Sequence, residues 1–385
     1  MRKMAQKDKK QKIIELLKKG MAAADIKKTL LKKKIKAENS EIELERLRIK
    51  AKAKFSNPDK MFFSADTLRF STPEIVANYR AERISGKIVA DLCCGIGSQS
   101  IAFAKKFSKV YAVDNGTEKI EMAKKNAEAF GIKNIEFICA DLFDEQTPSK
   151  IPDADCIFCD PERAPAEKER KIEAIPFVEL LLSRYSKITK NICIELPPQI
   201  TPERIDMKKY ECEKEYLSLK GKLNRLDIYF GRLKRAERSA VLLPEGIILE
   251  SKNAHFEEKT SGVLDYLYEI NPAVEKAGLV GEAAEKFEGK IFACFRSKRS
   301  SFFTSYESIE SPFFKRYSVI VKCANSIPTI ISELRNLSAG RTVLRGSVDP
   351  REYWAIRNSI EQKLSGRAEF QVFLLRETAA ICRPI

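Results

Sequence analysis

The spacing of hydrophobic and polar residues changes along the chain and predicts a helical region at its start. In "KIIELLKKG" and "DIKKTLLKKKIK" the apolar residues recur at helical intervals, and Gly20 separates the two stretches. A third helix is predicted over "SEIELERLRIKAKAKF", where four apolar side chains recur three or four positions apart: Leu44, Leu47, Ala51 and Phe55. We therefore expect residues 1–54 to form a small helical unit with one apolar stripe and a charged exterior.

From Lys87 onward, short apolar stretches alternate with amphipathic ones. The stretches "KIVADL", "KVYAVD", "IEFICAD", "ADCIFCD" and "NICIEL" predict strands, and "SQSIAFAKKF", "TEKIEMAKKNAEAFG" and "AIPFVELLLSRYSK" predict helices between them. This alternation is typical of an α/β fold with a parallel sheet covered on both faces. "RLDIYFGRL" and "SAVLLPEG" follow with too few residues between them for a helix, so we expect the sheet to end in an antiparallel pair.

The last part of the chain has a mixed pattern. "SGVLDYLYEINPAVEKAGLVGEAAEKF" reads as mainly helical, and five strands are predicted over "KIFACF", "RYSVIVKCA", "RTVLRG", "EFQVFLL" and "TAAICRP". Two more helices are predicted over "SIPTIISELRNLS" and "PREYWAIRNSIEQKL". The predicted organisation is a helical segment at 1–54, an α/β domain at 55–246 and an α+β domain at 247–385.

The net charge of +16 is concentrated at the N-terminus. Residues 1–54 carry 19 lysines and arginines against 7 acidic residues, whereas residues 55–245 carry 31 against 30 and residues 246–385 carry 20 against 17. Such a segment is typical of one that binds a polyanion, and nucleic acid is the favoured partner. The alternative is a solvated helical arm that aids solubility.

The cysteines and the apolar runs indicate a cytoplasmic protein. No apolar run reaches the length of a membrane span, and Glu15 interrupts the only apolar cluster near the start. Ten cysteines without a secretion signal predict reduced thiols. Cys156 and Cys159 form a CxxC, but they lie in a predicted strand where positions three apart face opposite sides. With His255 as the only histidine, we expect no metal site and no membrane partner.

Four acidic residues end four successive predicted strands: Asp91, Asp114, Asp141 and Asp160. In a parallel sheet the ligand lies at the carboxyl ends of the strands, so these side chains are expected to meet at one site. A carboxylate after the second strand can accept hydrogen bonds from both hydroxyls of an adenosine ribose. Asp114 is the candidate for that role. The alternative is that these acids merely end strands.

Two cofactors compete for this site. A dinucleotide needs GxGxxG, but the third glycine position counted from Gly95 is Ser100, and Asp91 would repel phosphates. S-adenosylmethionine carries positive sulfonium and ammonium groups instead. The stretch "DLCCGIG" resembles the DxGxGxG of class I S-adenosylmethionine-dependent methyltransferases, a Rossmann-like family, with Cys93 at the first glycine. The cofactor-binding residues that the resemblance implies are Asp91, Cys93, Gly95 and Gly97 on the methionine side, Asp114 at the ribose with Asn115 next to it in the chain, and Asp141 and Leu142 beside the adenine.

The stretch "CDPERAP" follows the fourth predicted strand and is the candidate for the reacting end. Asp160 and the carbonyl of Pro161 are placed to accept the N–H of an exocyclic amine and to orient its lone pair toward a methyl donor. The stretch resembles the [DNS]PP[YFW] motif of enzymes that methylate amines of nucleic acids, with Glu162 at the second proline and Arg163 at the aromatic. Arg163 could stack on a base or bind a phosphate. The alternative is a turn with a surface arginine.

DPxR also resembles the DPPR of enzymes that methylate uracil at C5. Those enzymes need a cysteine nucleophile after the fifth strand. Here the stretch is "NICIELPPQI", with Cys193 inside the predicted strand and Glu195 beyond it. We therefore favour methylation of an amine over methylation of carbon, with Cys159 or Cys193 as the nucleophile in the alternative.

A wider resemblance covers the chain from about Glu41 to its end. "LERLRIKAKAKFSNPDKMFFSADTLRFSTPEIVANYRAERI", "DPERAP", "YEINPAVEKAGLVGE" and "TVLRGSVDP" together resemble class I methyltransferases with a C-terminal THUMP-like domain. The resemblance implies a base of structured RNA, such as tRNA, as substrate, bound by the N-terminal helices and the C-terminal domain. Two alternatives stay open: a small-molecule or protein methyltransferase, and an RNA-binding protein with a degenerate methyltransferase domain.

Overall fold

The computed structural model describes residues 2–161, 174–200, 210–252, 256–296, 301–346, 348–349 and 351–385. The chain divides into two compact units. The first contains Met1–Pro197 and Asp227–Arg235, and the second contains Glu213–Leu226 and Ala236–Ile385. The boundaries at residues 54 and 246 stay a prediction from the sequence.

Three helices begin the first unit: α1 (Arg2–Lys18), α2 (Ala23–Lys32) and α3 (Asn39–Ala51). They share a small core, formed by Ile13, Ile26, Leu30, Ala37 and Ile42. The predicted apolar stripe of α3 packs in a separate cluster that also contains Met61, Phe63 and Ile96. The three helices thus bury two apolar surfaces, and Lys27, Lys28 and Lys32 of α2 are exposed. Among the residues that the structure describes, every helix is too short or too polar to cross a lipid bilayer.

Strands and helices then alternate as the sequence predicts. The elements are α4 (Ala65–Phe70), α5 (Glu74–Arg83), β1 (Ile88–Leu92), α6 (Ser98–Ala104), β2 (Lys109–Asp114), α7 (Thr117–Ala129), β3 (Ile135–Cys139), β4 (Cys156–Cys159), α8 (Ala174–Tyr185) and β5 (Ile192–Leu196). The five strands are parallel, in the order β3-β2-β1-β4-β5. Val89 of β1 pairs with Val110 on one side and Cys156 on the other. The carboxyl ends of β3, β2, β1 and β4 therefore form one continuous edge.

Four more strands complete this sheet: β6 (Cys212–Leu219), β7 (Lys222–Phe230), β8 (Arg238–Leu243) and β9 (Ile247–Glu250). Its full order is β3-β2-β1-β4-β5-β7-β6-β8-β9. The expected antiparallel pair of "RLDIYFGRL" with "SAVLLPEG" is wrong, because β6 lies between β7 and β8 and runs parallel to β8. The pattern of "CEKEYLSL" does not indicate strand β6, because two of its buried positions are glutamates. Glu213, for example, is 1% exposed and accepts a hydrogen bond from the Ser239 hydroxyl at 2.6 Å.

The remainder of the second unit is a mixed α+β structure, as predicted. Its elements are β10 (Tyr266–Ile270), α9 (Pro272–Ala277), α10 (Val280–Ala284), β11 (Phe292–Arg296), β12 (Ser301–Ser305), β13 (Phe314–Ala324), α11 (Ile327–Asn336), β14 (Ala339–Gly346), α12 (Tyr353–Glu361), β15 (Ala368–Leu375) and β16 (Thr378–Pro384). The strands form a sheet in the order β11-β12-β10-β13-β16-β15-β14. One expectation is wrong: "YLYEI" is strand β10 and not helix, because its aromatic and β-branched residues favour a sheet position.

Candidate cofactor and catalytic site

The structure brings the four predicted carboxylates to one edge of the sheet. Asp114 is the last residue of β2, and Asp160 directly follows β4. Asp91 is the fourth residue of β1, and Asp141 lies two positions beyond the end of β3. Because these strands are parallel neighbours, the acids come together although 69 positions separate the first from the last in the sequence.

Asp114 accepts backbone hydrogen bonds from two loops, the one that follows β1 and the one that follows β2. Its Oδ2 accepts a hydrogen bond from the backbone N–H of Gly95, and its Oδ1 accepts one from the N–H of Gly116, both at 2.9 Å. Lys119 Nζ lies 3.9 Å from Oδ1. The side chain is 5% exposed. A carboxylate offers about four lone-pair positions, so Asp114 retains acceptor capacity for two hydroxyl groups. This arrangement fits the ribose of S-adenosylmethionine.

The loop that follows β1 has a left-handed backbone at three positions. The φ angle is 66° at Cys93, 56° at Gly95 and 79° at Gly97. This conformation costs a residue with a side chain about 1 kcal/mol, which explains why the methyltransferase pattern has glycine where Cys93 stands. A Cβ at position 95 would meet nothing within 4 Å, whereas a Cβ at position 97 would lie 3.2 Å from the Cβ of Ala123. Gly95 therefore leaves room for a ligand, and Gly97 allows α7 to pack.

Asp91 faces inward and binds a helix. It is 1% exposed, and the Ser100 hydroxyl of α6 donates a hydrogen bond to its Oδ2. Burial raises the pKa of Asp91 to about 7, against the opposing effects of the Ser100 hydrogen bond and the Arg80 charge. Ser100 occupies the position where a dinucleotide fingerprint requires glycine. Its side chain instead ties helix α6 to strand β1, which disfavours a dinucleotide at this loop.

A buried arginine beneath the site was not predicted from the sequence. Arg80 of α5 is 0% exposed, and its Nη2 donates to Glu195 of β5 at 2.6 Å and to Asp227 of β7 at 3.0 Å. Its Nη1 donates to Gln99 Oε1 of α6 at 2.9 Å. The guanidinium carbon lies 4.2 Å from the centre of the Phe158 ring of β4. One side chain thus connects a helix before the sheet with three strands and the helix that carries Ser100.

The charges around Arg80 account for its ionisation. Burial alone would lower the pKa of Arg80, but the carboxylates of Asp227 and Glu195 hold it well above its ordinary value. Asp227 is 1% exposed and Glu195 is 8% exposed. The sequence did contain a signal: both acids interrupt apolar strands, in "RLDIYF" and "CIEL", and a buried acid requires a partner.

The cysteines that a covalent mechanism would need are buried. Cys159 and Cys193 are both 0% exposed, and Cys193 packs in a hydrophobic cluster of the first unit with Phe103 and Phe158. Burial raises the pKa of the Cys159 thiol well above its ordinary value, and a hydrogen bond with Cys93 adds to the effect. Because the thiolate is the nucleophilic form, Cys159 is not prepared to attack a pyrimidine ring, and burial separates the Cys193 thiol from a substrate at the surface.

The candidate reacting residues follow β4 directly. Asp160 and Pro161 are half-buried, and the backbone N–H of Asp160 donates to the carbonyl of Leu92 at 3.4 Å. This contact places the residues after β4 beside the start of the loop at Cys93. Arg163, predicted to engage the substrate, lies outside the described residues.

The residues predicted beside the adenine and ribose form the next part of the edge. Asp141 is exposed, and its Oδ1 accepts the N–H of Phe143 at 2.8 Å. The carbonyl of Leu142 accepts the hydroxyl of Tyr185 at 2.7 Å. Asn115 is exposed at the end of β2, and its carbonyl accepts the thiol of Cys139 at 3.8 Å. The first two contacts fix the backbone after β3, while the Asn115 side chain faces solvent.

Two family models match parts of this chain. The model of an RNA cap guanine-N2 methyltransferase family matches residues 86–233, and that of a tRNA (Uracil-5-)-methyltransferase family matches residues 3–146. The first match includes β1 to β7. The second ends before β4. Each covers less than half of the 385 residues.

Individual relatives are likewise similar over part of the chain. The 23S rRNA (uracil(1939)-C(5))-methyltransferase RlmD of Shewanella amazonensis is 35% identical over 88 residues, 23% of this chain and 20% of that protein. The trimethylguanosine synthase of Saccharomyces cerevisiae is 29% identical over 153 residues, 35% of this chain and 48% of that protein. An uncharacterized S-adenosylmethionine-dependent methyltransferase of Mycobacterium tuberculosis is 26% identical over 161 residues, 41% of this chain and 43% of that protein. The chain therefore spans from about a fifth to about half of these relatives.

A solved structure shares the fold over nearly the whole chain. A protein of Porphyromonas gingivalis W83, assigned as a methyltransferase with no substrate named, superposes with a TM-score of 0.67 at 16% sequence identity. The match covers 90% of this chain and 90% of that one. The methyltransferase-like α/β fold is thereby confirmed, and the name of the Mycobacterium tuberculosis relative supports S-adenosylmethionine as the predicted cofactor.

Proposed function

We propose that this chain is an S-adenosylmethionine-dependent methyltransferase that acts on a base of structured RNA. The observation that carries the proposal is the carboxyl edge of β3-β2-β1-β4, where Asp114 locks the glycine loop and keeps acceptor positions for a ribose. The cofactor supplies an electrophilic methyl group. The chain holds the ribose with Asp114 and Asn115, receives the methionine end at Cys93–Gly97, and borders the adenine with Asp141 and Leu142.

We further propose an exocyclic amine as the methyl acceptor. Asp160 and the Pro161 carbonyl would accept the amine N–H and fix its lone pair, and Arg163 would engage the base or its phosphate. The guanine-N2 family model supports this choice, because its match includes β4 and β5, where the substrate residues are expected. The uracil family model ends at residue 146, before those strands. The burial of Cys159 and Cys193 weighs against a covalent route to carbon.

RNA as the substrate is supported by the relatives and by exposed lysines. Lys27, Lys28 and Lys32 lie on the outer face of α2, and Lys33 and Lys34 continue this surface. None of the five forms an ion pair with a residue that the structure describes. When exposed lysines bind phosphates, they displace the counterions condensed on the nucleic acid, and this release favours binding to a polyanion.

We also propose, from the resemblance to methyltransferases with a THUMP-like domain, that the C-terminal domain is THUMP-like and that tRNA is the preferred RNA. The N-terminal helices and the C-terminal domain would both bind this RNA. A cytoplasmic location accords with ten free cysteines, since disulfides are uncommon in reducing compartments.

Cofactor binding and methyl transfer, measured separately, test the proposal. Asp114→Asn should weaken S-adenosylmethionine binding about 10- to 150-fold in calorimetry, the equivalent of 1.5 to 3 kcal/mol for charge-assisted hydrogen bonds. Asp160→Ala should leave that affinity nearly intact and slow methyl transfer to RNA by about 100-fold or more through lost positioning. The methylated nucleoside, identified by mass spectrometry, should carry the label on an exocyclic nitrogen.

Asp155→Asn is the matched control for Asp114→Asn. Asp155 Oδ2 also accepts two backbone N–H groups, from Lys87 at 2.7 Å and Ile88 at 2.9 Å, but at the amino end of the sheet. Asp155→Asn should retain cofactor affinity. Equal affinity of wild type and Asp114→Asn would remove Asp114 from the site. Full activity of Asp160→Ala, or a label on carbon, would overturn the amine mechanism.

A further inference from the structure

The second unit exposes the only tryptophan of the chain beside an open cleft. Trp354 is 63% exposed. The cleft has a volume of about 360 Å³, within the range of ligand sites. Phe302, Leu344 and Val348 provide its apolar lining. A large aromatic side chain left in solvent next to a cleft that combines apolar and charged side chains is characteristic of a binding surface.

The packing of α12 holds Trp354 outward. Ile360 of this helix is buried in a cluster with Phe370, and the Tyr353 ring packs partly against the same cluster. The Tyr353 and Trp354 rings meet edge to face, with centroids 5.3 Å apart and planes at 86°. The Arg357 guanidinium carbon lies 5.4 Å from the indole centre. The indole is therefore exposed but held by its neighbours, so little order has to be gained when a flat ligand stacks on it.

A fixed guanidinium lies in the same cleft. Arg345 Nη1 donates to both oxygens of Glu269, at 2.9 and 2.6 Å, and its Nε donates to Gln371 Oε1 at 2.9 Å. Glu269 is itself held by the Tyr317 hydroxyl at 2.9 Å. The Nη2 amino group of Arg345 donates to no other residue in the described part of the chain. Two N–H donors are thus oriented by the protein and left for an acceptor from outside.

The local charge favours an anion. Lys315 Nζ lies 5.4 Å from the centre of the Tyr317 ring, which Arg345 also approaches at 5.4 Å. Burial and the nearby Arg345 charge lower the pKa of Lys315, against the opposing effect of Glu269. Glu269 offsets one of these two positive charges. An incoming phosphate would therefore meet one net positive charge.

We propose that this cleft binds one unpaired nucleotide of an RNA strand, with its base stacked on Trp354 and its phosphate bound by the free N–H groups of Arg345. The inference rests on the proposed RNA methyltransferase function and locates a contact in the second unit. Stacking on one aromatic face tolerates any base, so the site holds an unpaired nucleotide without reading its sequence. Because the cleft is open, it suits a nucleotide within a strand better than a free nucleotide, which binding sites usually enclose.

Tryptophan fluorescence of the full chain tests the inference directly, because all of it comes from Trp354. A single-stranded RNA decamer should quench the emission, and a fully paired RNA duplex of equal length should not. In anisotropy measurements with labelled decamer, Trp354→Ala should weaken binding about 5- to 150-fold, and Trp354→Phe should retain most of the affinity. Tyr306→Ala is the matched control, since Tyr306 is 66% exposed in the same unit and does not line the cleft.

Each contrary result overturns the inference in a different way. Absence of quenching, or equal weakening by Trp354→Ala and Tyr306→Ala, removes the stacking site. Quenching by a nucleoside monophosphate at the same concentration as by the decamer replaces the RNA strand with a free nucleotide. Methyl transfer by wild type, measured in parallel, distinguishes the two proposals. If wild type methylates RNA but the RNA does not quench Trp354, the nucleotide site in this cleft is rejected and the enzyme function stands. If RNA quenches Trp354 but no RNA is methylated, the proposed enzyme function is rejected.

Discussion

The first unit carries two charged regions of opposite kind: the acidic edge of its sheet and the lysine-covered face of α2. Asp91 and Asp114 are 1% and 5% exposed, and each is fixed by hydrogen bonds to named partners. Lys27 and Lys28 are exposed and have no ion-pair partner among the described residues. The interaction of a buried charge with a ligand is strong and depends on the distance and direction between them. Solvent and salt weaken the interaction of each exposed charge, so exposed lysines bind a ligand through their combined charge. The acidic edge is therefore suited to one small ligand in one orientation, and the lysine face to a long polyanion in many.

The largest effect should come from removing the cation beneath the acidic edge. Arg80→Met removes the buried cation that donates hydrogen bonds to Glu195 and Asp227, which should lower the free energy of unfolding by about 3 to 5 kcal/mol. Denaturant titration measures this value. Adding Glu195→Gln and Asp227→Asn should recover part of the loss. The exposed Arg69→Met serves as control and should change stability by less than about 0.5 kcal/mol. A similar loss in both single variants would show that the acidic edge does not depend on a buried charge.

A second effect, smaller within any one pH unit, should follow from the ionisation of Asp91. Its pKa of about 7 in the folded chain exceeds the ordinary value of 3.8, so the folded state alone holds this proton between the two values. The stabilising contribution is complete below the ordinary pKa and is lost as pH rises through 7. The free energy of unfolding should therefore fall with pH in this window, by up to about 1.4 kcal/mol per pH unit.

Comparison with Asp91→Asn isolates this contribution. The variant cannot release the proton, so the difference in stability between wild type and Asp91→Asn should change between pH 4 and 7 and level off above 8. Chemical denaturation at matched pH values provides the measurement. If the difference in stability between wild type and Asp91→Asn is constant across this range, Asp91 is charged throughout. Its pKa would then be that of an exposed carboxylate, and the acidic edge would not differ from an exposed surface in this respect.

The smallest effect per residue should come from the lysine face. The double change Lys27→Gln and Lys28→Gln should reduce the slope of log affinity for RNA against log salt concentration by about 0.7 to 0.9 for each lysine that contacts a phosphate. Cofactor affinity should stay the same. Lys286→Gln with Lys290→Gln, two exposed lysines of the second unit, is the matched control. Equal slopes for wild type and the α2 variant would make the lysine face a solubility feature.

The sequence predicts the acidic edge because local rules determine it. Strands end where an apolar run meets an acidic residue, and parallel neighbours then align Asp91, Asp114 and Asp160 without any long-range knowledge. Strand β6 escaped prediction because its buried face contains Glu213 and Glu215, which a hydrophobic pattern counts as exposed. Arg80 escaped for a related reason. Its partners lie 115 and 147 positions away, and nothing near it in the chain distinguishes a buried arginine from a surface one.

The span of the Arg80 contacts has a consequence for the order in which the chain folds during synthesis. Strands β1 to β4 and their helices emerge from the ribosome before Asp227 does, and until then α5 would bury a guanidinium without half of its counter-charge. Domains fold as units when their last essential segment becomes available, and contacts of long sequence separation form late. We therefore expect the methyltransferase-like sheet to reach its native packing only after β7 has been made, and a chain truncated before Asp227 to be recognised by chaperones and proteases.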